Sequence, residues 1–386
     1  MQRILALTLG LGLAVLIAVV GARLLRPEPK TLTLIEVDQV VLDTASAEAA
    51  GRVAEGGFRT PLDEETVREI MPVRGMRLYD PYCYFRYKPH RDQHQRWSEH
   101  PDGGFRVYTN SIGLRQDEEV ATVKPDLRVL VAGDSHTTGV CSNAETFAAQ
   151  LEDRLAAAVP TRSVEVLNGS HGAYSFFHYL GVLERMLALD MRPDLFVVVV
   201  YGGNDFRAVN LWHFFQGTKA PPLDRTEMDL RREAADRFTS AMGQVLSAAH
   251  HFAIRDGEVE IALRMSDRLM AETQRLCAAE GIGLLVVYLP APTEVPEQAV
   301  LTKVEKCREF MGLEPEDLAR LGVMADRLLD QLEAHQVPAI DLRSSFREHE
   351  GLLYWKADLH LNLDGHIAAA DVVAPWVEEW WPSRNQ

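Results

Sequence analysis

The segment Leu195–Tyr201 limits the possible folds of this chain more than any other part of the sequence. It reads Leu-Phe-Val-Val-Val-Val-Tyr and contains no charged residue. The run is short for a helix and rich in β-branched residues, so it predicts a strand. Because the apolar residues follow one another instead of alternating with polar ones, we expect both faces of that strand to be covered. Strands of this kind belong to parallel sheets with helices on both sides.

Four further apolar runs have the same character, at residues 127–132, 164–167, 284–289 and 337–340. Helical periodicity separates them, in a segment that opens near residue 143 and in residues 259–280 and 315–335. Alternation of strands and helices implies right-handed βαβ units. The sequence therefore predicts an α/β fold around a central parallel sheet of about five strands.

Polar segments follow the predicted strands at the place where parallel sheets bind their ligands, beyond the carboxyl ends of the strands. They are residues 133–136 (Gly-Asp-Ser-His), 168–174 (Asn-Gly-Ser-His-Gly-Ala-Tyr), 202–205 (Gly-Gly-Asn-Asp) and 358–366 (Asp-Leu-His-Leu-Asn-Leu-Asp-Gly-His). Each segment alone is a weak signal, because Gly, Asn and Asp are ordinary turn residues. Together and in this order they predict an active site at that edge of the sheet.

Ser135 is the candidate nucleophile, since it lies where a strand turns into a helix and unpaired backbone N–H groups favour negative charge. A serine hydroxyl needs a base, usually a histidine that a carboxylate orients. Asp358 and His360 are two residues apart, and an extended backbone would place both on one face. The pair Asp364 and His366 is the alternative, but we prefer His360 because His366 is expected within a helix that Asn362 caps.

These segments resemble the motifs of the SGNH (GDSL-type) hydrolase superfamily, in family order over residues 128–373. The stretch at residues 109–115 also resembles a segment found upstream of the serine motif in bacterial, membrane-linked members. The resemblance implies a flavodoxin-like αβα sandwich and an active site that uses no metal or organic cofactor. It implies the following roles: Ser135, His360 and Asp358 as catalytic triad, the Ser135 and Gly172 N–H groups with Asn204 as oxyanion hole, and Asp134, Ala173 and Asp205 in support. Ala173 is the alternative to Gly172 as oxyanion donor.

The resemblance implies a serine hydrolase that cleaves an ester, such as an acetyl or short acyl group on a glycan or lipid. The Asp-x-His spacing resembles that of membrane-associated relatives that transfer acetyl groups to polysaccharides, so an acyltransferase is one alternative. The other is a catalytically silent envelope protein that binds glycan or lipid. The four cysteines have no metal-ligand spacing, and sequence does not decide whether they form disulfides.

The formal net charge of −16 argues against a nucleic-acid partner, which needs clustered Lys and Arg. Residues 4–22 carry no charge and nearly span a bilayer as a helix, so we expect a membrane anchor, with a cleaved signal peptide as the alternative. The catalytic domain would then lie outside the cytoplasm. We divide the chain into an anchor (residues 1–25), a connector and aromatic-rich extension (26–119) and a hydrolase domain (120–384) with an insertion at residues 206–260.

Overall fold

The computed structural model describes residues 62–70 and 77–383 of the chain. The strands of these residues are β1 (Arg77–Asp80), β2 (Tyr84–Tyr87), β3 (Asp92–Arg96), β4 (Gly104–Tyr108), β5 (Leu127–Ala132), β6 (Val164–Asn168), β7 (Leu195–Tyr201), β8 (Gly283–Leu289) and β9 (Ala339–Asp341). The helices are α1 (Glu64–Ile70), α2 (Ser135–Thr138), α3 (Phe147–Ala158), α4 (Phe176–Ala188), α5 (Val209–Phe215), α6 (Arg225–Arg237), α7 (Thr239–Ala241), α8 (Ser247–Ile254), α9 (Glu258–Glu280), α10 (Thr302–Met311), α11 (Pro315–Ala334), α12 (Arg343–Arg347) and α13 (Leu363–Ser383).

A parallel sheet of five strands forms the centre, in the order β6-β5-β7-β8-β9. The predicted fold class is confirmed, and four of the five strands lie within one residue of their predicted limits. The fifth strand was predicted at residues 337–340 but begins at Ala339. Pro338 has no N–H to donate, although its carbonyl accepts a hydrogen bond from the Val286 N–H, so the ladder starts after it.

Both faces of the sheet are covered, as the uninterrupted valine run predicted. Phe196, Val198 and Val200 of β7 point into a core formed with α4, α9 and α11. Leu195 and Val197 point into a second core, formed with α3, α12 and α13. Every residue of β7 is buried, so the strand gains apolar burial on both sides.

The aromatic-rich extension forms two antiparallel hairpins, β1–β2 and β3–β4. Tyr84 and Phe85 of β2 are buried in the same core as α4. A Cβ added at Gly181 of α4 would lie 2.3 Å from the Tyr82 carbonyl oxygen, so glycine permits the close approach of the extension. Arg185 of α4 binds the Asp80 carboxylate at 2.9 Å. The extension thus packs into the main core.

Helices α5 to α8 lie within residues 206–260, the part of the interval between β7 and β8 that we predicted as an insertion. A single π-helical turn, Met242–Leu246, joins α7 to α8. Met242, Val245 and Leu246 form a separate small apolar cluster with α10, and Leu359 of the C-terminal loop inserts into it. The segment predicted as an insertion is therefore in direct contact with the loop that carries Asp358 and His360.

The predicted anchor at residues 4–22 lies outside the described residues. Across residues 62–70 and 77–383, the helices all fall short of the length and apolar character that a membrane span requires. All four cysteines, Cys83, Cys141, Cys277 and Cys307, are free and buried.

Candidate active site

Ser135 is the first residue of α2, directly after β5. The Asp134 carboxylate accepts a hydrogen bond from the His136 N–H at 2.8 Å and so caps this short helix. A Cβ added at Gly133 would lie 2.1 Å from Thr137 Oγ1, which only glycine avoids. Each residue of the Gly-Asp-Ser motif thus has its own physical task, and Ser135 stays half-exposed at the sheet edge.

His360 Nε2 lies 2.9 Å from Ser135 Oγ. On the other side of the ring, Nδ1 makes a short hydrogen bond to Asp358 Oδ2. A carboxylate only accepts hydrogen bonds, so Nδ1 carries the proton and the Nε2 lone pair faces the serine hydroxyl. Hydroxyl, imidazole and carboxylate therefore stand in the order that general-base activation of a nucleophile requires.

The loop around His360 differs from the extended backbone on which we based the contact between Asp358 and His360. Leu359 has φ of 68°, in the left-handed region that a branched side chain rarely adopts. The Leu359 N–H donates to the Trp355 carbonyl at 3.0 Å, and the Trp355 N–H donates to the His360 carbonyl at 2.9 Å. A tight loop, closed by the Tyr354–Leu361 bridge, brings the two side chains together.

Helix α13 begins at Leu363, as predicted, and the Gly365 N–H donates to Asn362 Oδ1 at 2.8 Å. The competing histidine, His366, lies within this helix. Its Nδ1 accepts a hydrogen bond from the Phe147 N–H at 3.1 Å. Of the two histidines, His360 is the one in hydrogen-bond contact with Ser135.

The charges of His360 and Asp358 shift each other's pKa values. Burial lowers the pKa of the His360 imidazole, but the charge and hydrogen bond of Asp358, with a contribution from Asp134, outweigh it, so the pKa lies above the usual 6.5. Burial raises the pKa of the Asp358 carboxyl, and the charge and hydrogen bond of His360 more than offset this, so the pKa lies below 3.8. The carboxylate is therefore ionised at neutral pH and favours a protonated imidazole.

Gly172 lies against the serine. A Cβ added there would be 3.7 Å from Ser135 Cβ. The Tyr174 N–H donates to the His171 carbonyl at 3.0 Å and Ala173 has φ of 72°, so residues 171–174 form a turn with a left-handed third residue. His171 Nδ1 lies 2.6 Å from the Gly172 carbonyl oxygen and holds the peptide that joins Gly172 to Ala173.

Asn204 lies close enough to Asp134 to lower the pKa of its carboxyl, so it lies next to the serine turn. Its neighbour Asp205 accepts hydrogen bonds from the Tyr179 hydroxyl at 2.7 Å and the Tyr201 N–H at 2.9 Å. Burial, against several hydrogen bonds, raises the pKa of Asp134 to about 6. Burial and then the charge of Asp134 raise the pKa of Asp205 well above 3.8. Both carboxyl groups thus act as support for Ser135 and Asn204 at the edge of the sheet.

His136, the residue that follows the candidate nucleophile, contacts the candidate base. Its ring stacks on Tyr201 with centroids 3.7 Å apart and lies 4.7 Å from the ring of His360. Its Nδ1 accepts a hydrogen bond from the Leu361 N–H at 3.2 Å, and its Nε2 lies 3.3 Å from Gln244 Oε1. Burial, followed by the charge of His360, lowers the pKa of His136 well below 6.5, so the ring is neutral.

Sequence reasoning missed two further residues, Arg115 and Glu99. The buried Arg115 guanidinium donates hydrogen bonds to the carbonyl oxygens of Thr138, Gly139 and Cys141, directly after the serine helix. Glu99 accepts the backbone N–H groups that precede Asp358. Arg115 belongs to the segment at residues 109–115 that resembled an upstream family segment, but that likeness assigned it no task. Glu99 has no local signal, because its contact spans more than 250 residues of chain.

A metal site is not indicated among residues 62–70 and 77–383, where His, Cys, Asp and Glu side chains form no group able to hold an ion. The arrangement around Ser135 instead offers a nucleophile, a base, an orienting carboxylate and nearby amide donors. Such a set is suited to acyl transfer.

Residues 131–368 match the model of the GDSL-like lipase/acylhydrolase family. No match is found among curated protein sequences. The similar solved structures include an alpha/beta hydrolase enzyme from the metagenome of Lake Arreo, Spain, with 17% identity, coverage of 64% of this chain and 94% of that chain, and a TM-score of 0.36. A catalytic mutant of the acetylxylan esterase Axe2 from Geobacillus stearothermophilus has 11% identity, coverage of 66% and 95%, and a TM-score of 0.37. A GDSL-like lipase from Bacteroides thetaiotaomicron has 13% identity, coverage of 66% and 89%, and a TM-score of 0.35.

Proposed function

Because the chain belongs to the GDSL-like lipase/acylhydrolase family, it is an ester hydrolase, and we propose that Ser135, His360 and Asp358 cleave the ester through an acyl-enzyme. The observation that carries the proposal is the 2.9 Å contact of Ser135 Oγ with His360 Nε2, whose far side is held by Asp358. This contact lets the hydroxyl proton move to the imidazole as the serine attacks.

In the first half-reaction, Ser135 Oγ bonds to the carbonyl carbon of the ester while His360 Nε2 takes the hydroxyl proton. The resulting tetrahedral intermediate has a negatively charged oxygen. When the carbon–oxygen bond to the alcohol breaks, His360 returns that proton to the leaving alkoxide. Asp358 stabilises the transient imidazolium ion and keeps the ring in the required tautomer.

The oxyanion would be bound by the Ser135 N–H, the Gly172 N–H and the Asn204 side-chain amide. Support comes from the close approach of Gly172 to Ser135 and from the proximity of Asn204 to Asp134, whose pKa it lowers. An amide nitrogen carries two hydrogens, so the Asn204 side chain can donate to the substrate oxygen. The Ala173 N–H is the alternative to that of Gly172. Each such donor contributes about two to three orders of magnitude in rate in other enzymes.

In the second half-reaction, water gives a proton to His360 and its oxygen attacks the acyl carbon. Ser135 then leaves and recovers the proton, which releases a carboxylic acid. We propose a small acyl group, such as acetyl, on a glycan or lipid. The same geometry accepts a sugar hydroxyl in place of water, and the Asp-x-His spacing favours this acyltransferase alternative by its resemblance to polysaccharide-acetylating relatives.

Hydrolysis of p-nitrophenyl acetate, together with covalent labelling by a fluorophosphonate probe, tests the enzyme and its nucleophile. We expect both signals from the natural protein and neither from the Ser135→Ala variant. Ser344→Ala is the matched control, since Ser344 is an exposed serine of α12. Full activity in Ser135→Ala would overturn the assignment of Ser135 as the nucleophile. A natural protein with neither turnover nor labelling would support the catalytically silent binding protein instead.

A competition assay separates hydrolysis from transfer. The acyl donor is supplied with and without a polysaccharide acceptor, and acylated sugar and free acid are both measured. A partition that favours acylated sugar at modest acceptor concentration supports the transferase. Release of acid alone, at an unchanged rate, supports the esterase.

We also propose that residues 4–22 anchor the protein in a membrane with its catalytic domain outside the cytoplasm. The support is the uncharged apolar stretch itself, with basic residues on both flanks. Membrane fractionation and protease treatment of intact cells test it. Recovery in the soluble fraction with an intact N-terminus would overturn the anchor, and recovery with a shortened N-terminus would support the signal peptide.

A further inference from the structure

The two loops that form the candidate triad come from distant parts of the chain, yet one hairpin contacts both. That hairpin is β3–β4 of the extension, and its tip is formed by residues 97–103. The tip is closed on itself, because the Trp97 N–H donates to the Gly103 carbonyl at 3.0 Å and the Gly103 N–H donates to the His100 carbonyl at 2.9 Å. It is therefore a preformed element and not a loose loop.

Glu99, at the tip, holds the loop of the candidate base. One carboxylate oxygen accepts the Lys356 N–H at 2.7 Å and the other accepts the Ala357 N–H at 3.0 Å. These are the two residues directly before Asp358. A bidentate contact of this kind fixes the orientation of the peptides as well as their distance.

His100, the next residue, holds the serine side. Its Nδ1 accepts the Asp102 N–H at 3.2 Å, so the proton lies on Nε2, which donates to the Glu145 carboxylate at 3.1 Å. Glu145 in turn accepts the Ser142 N–H at 2.7 Å, a few residues after the serine helix. His100 is 4% exposed, so its side of this contact is buried, while Glu145 is partly exposed.

The segment that follows Ser135 is also fixed by hydrogen bonds from Arg115. Arg115 binds the carbonyl oxygens of Thr138, Gly139 and Cys141 and also donates to Asn143 Oδ1 at 3.3 Å. The segment between Ser135 and Glu145 is thus fixed at several points along its length. Arg115 and His100 thus both hold the segment that follows Ser135.

We propose that Glu99 and His100 form a bridge that sets the distance between Ser135 Oγ and His360 Nε2. Glu99 and His100 are positioning residues, because they touch the loops and not the reacting atoms. The bridge rests on the proposed function, in which this distance governs proton transfer. A misplacement of about 1 Å between reacting groups can cost about a hundredfold in rate, so a small slackening of the bridge has a measurable effect.

Glu99→Gln tests the bridge in the full-length protein with p-nitrophenyl acetate. Glutamine has a single acceptor oxygen, so one of the two backbone contacts is lost. We expect kcat to fall about tenfold, with KM within about twofold and the thermal unfolding midpoint nearly unchanged, because Glu99 lies at the surface. Asp92→Asn is the matched control, since Asp92 belongs to the same hairpin and pairs with Arg106.

The pH profile provides a readout that a general loss of stability would not move. His360 is faced by Asp358 of its own loop and by Asp134 and His136 of the serine turn. If Glu99→Gln loosens the loop, the contact with Asp358 weakens, and the acid limb of kcat/KM moves to lower pH. His100→Gln should lower kcat without moving that limb, and the double variant should be little worse than either single variant because one break opens the bridge.

The results separate the two proposals. A natural protein that neither turns over p-nitrophenyl acetate nor reacts with the fluorophosphonate overturns the proposed function. An active natural protein whose Glu99→Gln variant keeps its kcat within twofold, with an unmoved acid limb, overturns the bridge alone. Should His100→Gln fail to fold, the variant at the half-buried Glu99 still tests the bridge.

Discussion

The neutral imidazole of His136 packs beside the imidazole of His360, with the two ring centroids 4.7 Å apart. His136 also accepts the N–H of Leu361, the residue that follows the candidate base. The first histidine therefore supports the second through both its ring and its Nδ1 lone pair. A protonated His136 would repel a protonated His360, and burial of His136 prevents this.

Substitution of His136 by leucine should destabilise the protein by about 1–3 kcal/mol, because the buried Leu361 N–H loses its acceptor. Urea unfolding followed by circular dichroism measures the change. His94→Leu is the control, since His94 is exposed on β3, and it should alter the free energy of unfolding by less than about 0.5 kcal/mol. Equal stability of the two variants would remove His136 from the support of the base.

The rate of ester cleavage should depend on the protonation state of His360. The base must be neutral to take the serine proton, so kcat/KM should rise with pH through the pKa of His360, which lies above 6.5. Activity is thus lost as the pH falls through that value. A profile of kcat/KM from acid to alkaline pH measures its midpoint.

The Asp358→Asn variant tests whether Asp358 raises the pKa of His360. Without the carboxylate, burial is the main influence on the pKa of His360 and lowers it, so the acid limb of kcat/KM should move to lower pH. We also expect kcat to fall by about four orders of magnitude, because the imidazole is no longer held in the correct tautomer. Asp364→Asn, at the start of α13, should leave both unchanged. An Asp358→Asn profile with an unshifted midpoint would show that another group sets the limb.

The elements of the sheet were predictable because burial on both faces leaves a local mark, an uninterrupted run such as Leu195–Tyr201. The sequence also allowed three candidate site residues to be identified, because each follows such a run or the last strand. They are Ser135, Asn204 and His360. The contacts of Glu99, Arg115 and His136 were not predictable, since they join residues far apart in sequence and their partners are backbone groups, which every residue possesses. The left-handed backbone at Leu359 has no local sequence signal either, and the apolar cluster that Leu359 enters is formed by residues distant in sequence.

Gly172→Ala tests the space beside the nucleophile. Gly172 does not have a positive φ, and the added methyl would meet Ser135 Cβ at 3.7 Å, an ordinary contact, so the variant should fold normally. The methyl occupies room beside the serine that the substrate carbonyl needs, and we expect kcat/KM to fall about tenfold or more. Steady-state kinetics with acetyl and longer acyl esters measure the loss. Gly257→Ala, where the added Cβ meets nothing within 4 Å, is the control.

Leu359→Ala should reveal how strongly the insertion holds the loop of the base. Leu359 is 1% exposed within the small cluster formed with Met242 and Leu246, and truncation of a buried leucine typically costs about 2–5 kcal/mol. Leu189→Ala is the matched control, at a leucine that is 41% exposed. Thermal and urea unfolding compare the two. A loss no larger than that of the control would mean that the insertion does not secure this loop.

The separation of Ser135 and His360 by 225 residues has a consequence for how the enzyme matures. Contacts between such distant residues close slowly, because a long loop must lose its conformational entropy before the contact forms. During refolding, helical signal should therefore return before catalytic activity. During synthesis, the strand that carries the nucleophile is complete long before the base has been translated. On the proposed assignment, a chain that ends before His360 lacks its base, so activity should appear only when the last elements of the fold are complete.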